Sequence, residues 1–134
     1  MKNNATIAKE FNKKALLSTL WVVVMINMLK ADILSLYVPG AAEEAAQTAA
    51  GTGATIPQLM LGAAAMMELP IAMIVLSRLL PTALNRWANI IVSLVTIAFV
   101  IGGGAAYPHY IFIAAVEISV LLAIILIAAK WRQE

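Results

Sequence analysis

Residues 110–129 read YIFIAAVEISVLLAIILIAA, twenty residues with Glu117 as their one charged side chain. As a helix this stretch rises about 30 Å, the thickness of a bilayer's hydrocarbon core. A strand is a poor alternative, because the run is too long and shows no strict apolar–polar alternation. Three further runs have the same character: about Ala15 to Val38, about Ile56 to Leu80 and about Trp87 to Tyr107. Together they predict an all-α membrane protein, a bundle of four transmembrane helices forming one domain over residues 1–134.

Composition agrees. The chain is 63% hydrophobic and 12% charged, with a mean hydropathy of +0.92. A soluble domain is nearer half apolar and a quarter charged. With no cysteine there are no disulfides, thiolate metal sites or thiol redox chemistry, and one histidine, His109, does not build a metal centre. No cofactor is called for. A net charge of +2 is too small to indicate a nucleic-acid partner.

The breaks between runs carry turn residues. VPGAAEEAAQTAAGTGATIP (38–57) is read as a loop, RLLPTALNRW (78–87) as a turn with a helix-starting Asn85, and GGGAAYPH (102–109) as the last reversal. Lys13 and Lys14 precede the first run as in a signal peptide, but that run is long and charged near its end, so it is read as a retained helix.

Charge sets the expected orientation. Lys2, Lys9, Lys13, Lys14, Arg78, Arg86, Lys130 and Arg132 all fall on one side of a four-span chain; the long loop opposite has Glu43 and Glu44. The positive-inside rule then places both termini in the cytoplasm, in a multi-pass protein of the plasma (inner) membrane. Trp21, Trp87 and Trp131 fall towards the same side, as interfacial aromatics do. So one-sided a charge bias disfavours a dual-topology multidrug transporter.

Helical wheels group the polar residues. In the first helix Thr19, Asn27, Lys30 and Tyr37 fall within about 80°, predicting that they face the bundle, while Asp32 lies well away from Lys30. The second helix has Glu68 near its middle, with Ala64, Ala65 and Ala72 on the same face and Pro70 beside it. Asn89, Ser93, Thr96, Gly103 and Tyr107 form a stripe on the third, read as packing contacts. Tyr110, Ala114 and Glu117 share a face of the fourth.

Counting from the outer boundary, Asp32 lies about 6 Å deep, Lys30 and Glu117 about 10 Å, and Glu68 about 17 Å. Lys30 is thereby expected to pair with Glu117. A charge at mid-bilayer costs on the order of 3 kcal/mol, which packing alone does not require. With three carboxyls and one ammonium in the spans, the carboxyls left over must hold a proton, reach water or bind a cation. A proton is the expected default for Glu68. The candidate ligand- or ion-binding residues are therefore Asn27, Lys30, Asp32, Tyr37, Glu68, Tyr107, Tyr110 and Glu117.

TLWVVVMINMLKADILSLY (19–37), ELPIAMIVLSR (68–78), NRWANI (85–90) and IFIAAVEISVLL (111–122) resemble an uncharacterised family of small, four-span prokaryotic membrane proteins. The resemblance covers nearly the whole chain from Leu17 to Trp131. It implies that Asn27, Asp32, Glu68 and Glu117 are general features, and that an aromatic residue is more usual at Lys30. It implies four helices and no activity.

Three functions compete. A carboxylate-lined pocket could bind or transport a small cationic, amine or lipid-like ligand, or relay protons. An accessory subunit could pair its charges with a partner membrane chain, or a homo-oligomer with its own. Less favoured is an intramembrane acid–base enzyme on a lipid-like substrate, with Glu68 or Glu117 as general acid. Nucleophilic catalysis is disfavoured further, because His109 has no evident serine partner in the sequence.

Overall fold

The computed structural model describes residues 2–131, so Arg132 in the basic C-terminal cluster lies outside the described residues. Five helices follow one another: α1 (Asn4–Ser35), α2 (Ala41–Thr52), α3 (Ile56–Leu79), α4 (Thr82–Gly102) and α5 (Pro108–Ala129). α1, α3, α4 and α5 are each long and apolar enough to cross a membrane.

Local chemistry sets the ends. Asn3 caps α1, its Oδ1 accepting the Thr6 N–H at 2.8 Å. α1 therefore starts eleven residues before the apolar run, and its 32 residues rise about 48 Å, beyond a bilayer's hydrocarbon. Thr55 and Gln58 form a reciprocal capping box on α3. Pro81 and Pro108 open the next two spans, and α4 begins five residues before the Trp87 boundary expected from hydropathy. α3 continues through Pro70.

α2 corrects the reading of 38–57 as a loop. Its alanines favour helix, Glu43 and Glu44 sit in its first turn against the positive end of the helix dipole, and Gly40 and Gly53 flank it at φ 82° and 74°. The glycines that looked like loop residues are the boundaries of a short helix.

The four long helices form a ring in which α1 packs on α3 and α5, and α4 on α3 and α5. The start of α1 and the end of α5 lie at one end of this bundle, the termini end; α2 lies at the other. The apolar core is concentrated towards the termini end, where Leu17, Trp21, Val24 and Met25 of α1 meet Met73, Leu121, Ile124 and Trp131. Lys13 lies 5.6 Å from the Trp131 ring, a cation–π contact that covers this end. Towards α2 the packing loosens, and no residue from 56 to 69 on α3 is buried.

Candidate functional site

Near the termini end Trp21, Ser77, Asn85 and Asn89 satisfy one another, while Arg86 Nε is buried beside them without a partner. Trp21 Nε1 donates to Asn89 Oδ1 at 2.7 Å, and Ser77 Oγ donates to the same oxygen at 3.3 Å. Asn89 Nδ2 donates to Asn85 Oδ1 at 2.7 Å and to the Asn85 carbonyl at 2.9 Å. Asn85 Nδ2 in turn reaches the Ser77 carbonyl at 2.7 Å. One helical face of α4, spaced four residues apart, thus meets α1 and α3 through side chains that are fully buried. Ser18 adds a link, donating to the Ile74 carbonyl at 2.7 Å while accepting from Arg78 Nε at 3.1 Å.

One layer closer to α2 the pattern changes. Glu117 is 3% exposed, and its Oε1 is buried without a hydrogen-bond partner. Ser93 Oγ is likewise buried and unpartnered. By helical rise Glu117 and Ser93 both lie about 14 Å, and the buried Asn27 about 12 Å, from the α2 end of their helices. These three residues from α5, α4 and α1 occupy one level of the bundle. Asn27 Nδ2 donates only to its own helix, at the Val23 carbonyl 3.0 Å away. Met66 and Met67 of α3 are half-buried near this level, soft side chains that adapt to what they enclose.

Nearer the mouth, Tyr110 is half-buried, its ring against Gly104, where an added Cβ would come within 3.0 Å of it. Its hydroxyl lies 3.5 Å from the Val100 carbonyl, the outer limit of a hydrogen bond. Ser35 Oγ and His109 Nε2 are 3.1 Å apart. The expectation that His109 lacks a serine is therefore corrected: Ser35 is 74 positions away in sequence, and the bundle brings it alongside. The pair is not arranged as a nucleophile and base. Ser35 Oγ is also within 2.8 Å of the Ala31 carbonyl, and when its proton goes there Nε2 is the donor between Ser35 and His109. Tyr107 stacks on the His109 ring at 5.7 Å and donates its hydroxyl to Glu44 on α2. That bond to a carboxylate holds the Tyr107 phenol above its ordinary range.

The remaining predicted residues lie apart. Lys30, Asp32 and Tyr37 are exposed, Tyr37 by 82%. The only ion pairs among the described residues are Lys2–Glu10 at 2.6 Å and Lys14–Glu10 at 3.8 Å, so the expected Lys30–Glu117 pair is corrected. The physical reason is the face that α1 buries. Leu17, Trp21, Val24, Met28 and Ala31 form the inward stripe, and Lys30 lies about 140° round from its centre. Glu68 is also exposed, on the back of α3, opposite the inward residues Pro70, Met73 and Ser77. Ser93 was the residue missed as a site candidate: its position in the α4 stripe marked it as buried, but nothing local marked it as unsatisfied.

The model of DUF6326, a family of unknown function, matches residues 6–134. No curated protein and no solved structure matches the chain.

Proposed function

The chain belongs to this family of unknown function, and we propose that it is a membrane protein that takes a small cationic or amine-bearing ligand, or a proton, at Glu117. The observation that carries this reading is the buried carboxyl with one oxygen left without a partner. An unpaired carboxylate in such surroundings costs several kcal/mol, so the group either holds a proton or receives a cation. Helix packing requires neither. Ser93 and Asn27, at the same level, offer neutral oxygens to an ammonium once their present orientations relax.

In this reading the α2 end opens outward. Asp32 stands nearer the mouth as a first acidic contact, and Tyr107 and Tyr110 line the approach. The basic residues of the termini end then face the cytoplasm, with both termini on the cytoplasmic side of the plasma (inner) membrane, as the positive-inside rule supports. Membrane lipids surround the bundle, and a lipid-like amine could enter beside α3, whose residues 56–69 pack least tightly. Transport is the further step in this reading; binding at Glu117 is its core.

The test uses the purified full chain and a panel of primary to quaternary alkylamines. At least one should raise the thermal midpoint of the wild type, and Glu117→Gln should abolish that rise. Glu68→Gln, on the outer surface, should retain it. If no amine acts, the proton reading stands alone, and infrared titration must show a protonated carboxyl band that vanishes in Glu117→Gln. Failure of both measurements removes the proposal.

A further inference from the structure

Lys30, Asp32 and Glu68 in the spans are ionisable and exposed, and by helical position Lys30 and Glu68 are the two of these that face away from the bundle. Lys30 on α1 and Glu68 on α3 are both exposed, and neither makes an ion pair among the described residues. Set against lipid, each charge costs on the order of 3 kcal/mol, and opposite charges brought together relieve that cost. They cannot meet within one copy by simple rotation of side chains, because each lies on the back of its helix, away from the bundle axis.

The surface beside Lys30 has a matching shape. Between α1 and α5 runs an open groove of about 410 Å³. Its floor on α5 is Ala115, Ser119 and Ala123, spaced four apart, and Leu20 and Phe112 form part of its walls. Small residues at that spacing let another helix approach closely. Lys30 lies about 80° round α1 from Leu20, at the groove's α2 end. The back of α3 offers a complementary ridge, with Ala64, Ala65 and Ala72 around Glu68.

Glu68 is level with the middle of the groove. Glu68 lies about 18 Å from the α2 end of α3, and Ser119 about 16 Å from that end of α5. Lys30 is shallower, about 8 Å from the end of α1. Side chains tilt towards their helix N-terminus, and α1 and α3 run in opposite directions, so Lys30 leans deeper while Glu68 leans shallower. Two long side chains leaning together cover most of the roughly 10 Å between their levels.

We infer that this chain self-associates head to tail, the back of α3 from one copy seated in the α1–α5 groove of the next, with Glu68 paired to Lys30. The occupant is a second copy because Lys30, beside the groove's α2 end, and Glu68, on the ridge, carry opposite charges on the same chain. The two surfaces differ, so the contact is heterologous and closes into a ring of three or more copies rather than a two-fold dimer.

The absence of native cysteine makes crosslinking a clean test. Differently tagged A72C and A123C variants of the full chain, placed together in one membrane, should form a mixed disulfide on mild oxidation. Either variant alone should link at a tenth of that yield or less, roughly 1.4 kcal/mol of discrimination. K30E or E68K, added to both tagged chains, should lower mixed linking about tenfold, and the double exchange should restore it to within about twofold. That restoration separates lost pairing from failed folding. Native mass spectrometry of the unsubstituted chain should show three or more copies. A72C linking to itself as efficiently as to A123C would overturn the inference, as would linking indifferent to the charge exchange or a wild type that is monomeric throughout.

Discussion

The two halves of the bundle use similar residues to opposite effect. Near the termini end, Trp21, Ser77, Asn85 and Asn89 hand hydrogen bonds to one another, and Arg86 Nε is the one buried side-chain atom at this end left without a partner among the described residues. One layer up, Ser93 and Glu117 are equally buried but leave an atom each without a partner. Composition does not separate the layers, since both draw on the same stripe of α4. Saturation does. A closed network fixes helices in register, whereas an unsatisfied group in a dry interior stays available to whatever relieves it. The first arrangement belongs to the scaffold and the second to a site.

Removing a member of the closed network should cost most. Trp21 is fully buried at the centre of the apolar core and donates across the bundle. Trp21→Ala leaves a large cavity as well as a bare Asn89 oxygen, and should destabilise the fold by about 3–5 kcal/mol. Reversible unfolding in mixed micelles measures this. A loss below about 1 kcal/mol would mean that the termini end is no tighter than the α2 end.

Asn89→Ala is the next step down. It strips an acceptor from Trp21 and Ser77 and a donor from Asn85, at a cost of about 2 kcal/mol. Pairing it with Trp21→Phe tests the network directly. If the two are coupled, the double variant should lose less than the sum of the singles, by about 1 kcal/mol.

Glu117→Leu should have the opposite sign. It removes the unpartnered oxygen and keeps an apolar volume of similar size, so stability should rise by about 1 kcal/mol while any stabilisation by amines disappears. A substitution that stabilises the apo protein and abolishes its ligand response marks a group retained for function. If Glu117→Leu instead destabilises as much as Asn89→Ala, the carboxyl belongs to the scaffold and the contrast between the halves fails.

How far could these roles be read beforehand? Length and hydropathy located the four spans, because the bilayer imposes both on any chain that crosses it. Wheel positions worked on α4 for Asn89, Ser93 and Thr96, which are all buried, but Gly103 and Tyr107 of the same expected stripe lie beyond its end, and Asn85, read as the helix start, sits inside it. They failed on α1. There the inward stripe of Leu17, Trp21, Val24 and Met28 is as apolar as the outward residues Val22, Ile26 and Leu29. In lipid the hydrophobic effect no longer ranks one face above the other, so four polar residues within one sector did not fix the inward direction. Glu68 failed for the same reason: an intramembrane carboxyl was assumed to face inward, and it faces out. The Ser35–His109 and Glu44–Tyr107 contacts were unreadable because each joins residues more than 60 positions apart.

The smallest expected effect sharpens the mouth rather than the core. Tyr107, at the start of α5, donates to Glu44 on α2, and this bond, with minor help from partial desolvation and the carboxylate's charge, raises the phenol above its ordinary value of 10.0. A raised value means that the folded state favours the neutral phenol. The contact's contribution is therefore complete below about pH 10 and is lost as pH rises through the folded value. Ultraviolet difference titration in a Tyr37→Phe, Tyr110→Phe background reports Tyr107 alone. Its midpoint should lie above 10 and fall back when Glu44→Gln removes the charge. A midpoint unchanged by Glu44→Gln would mean that α2 is not tied to α5 in solution, leaving the α2 end looser still and Glu117 closer to open access.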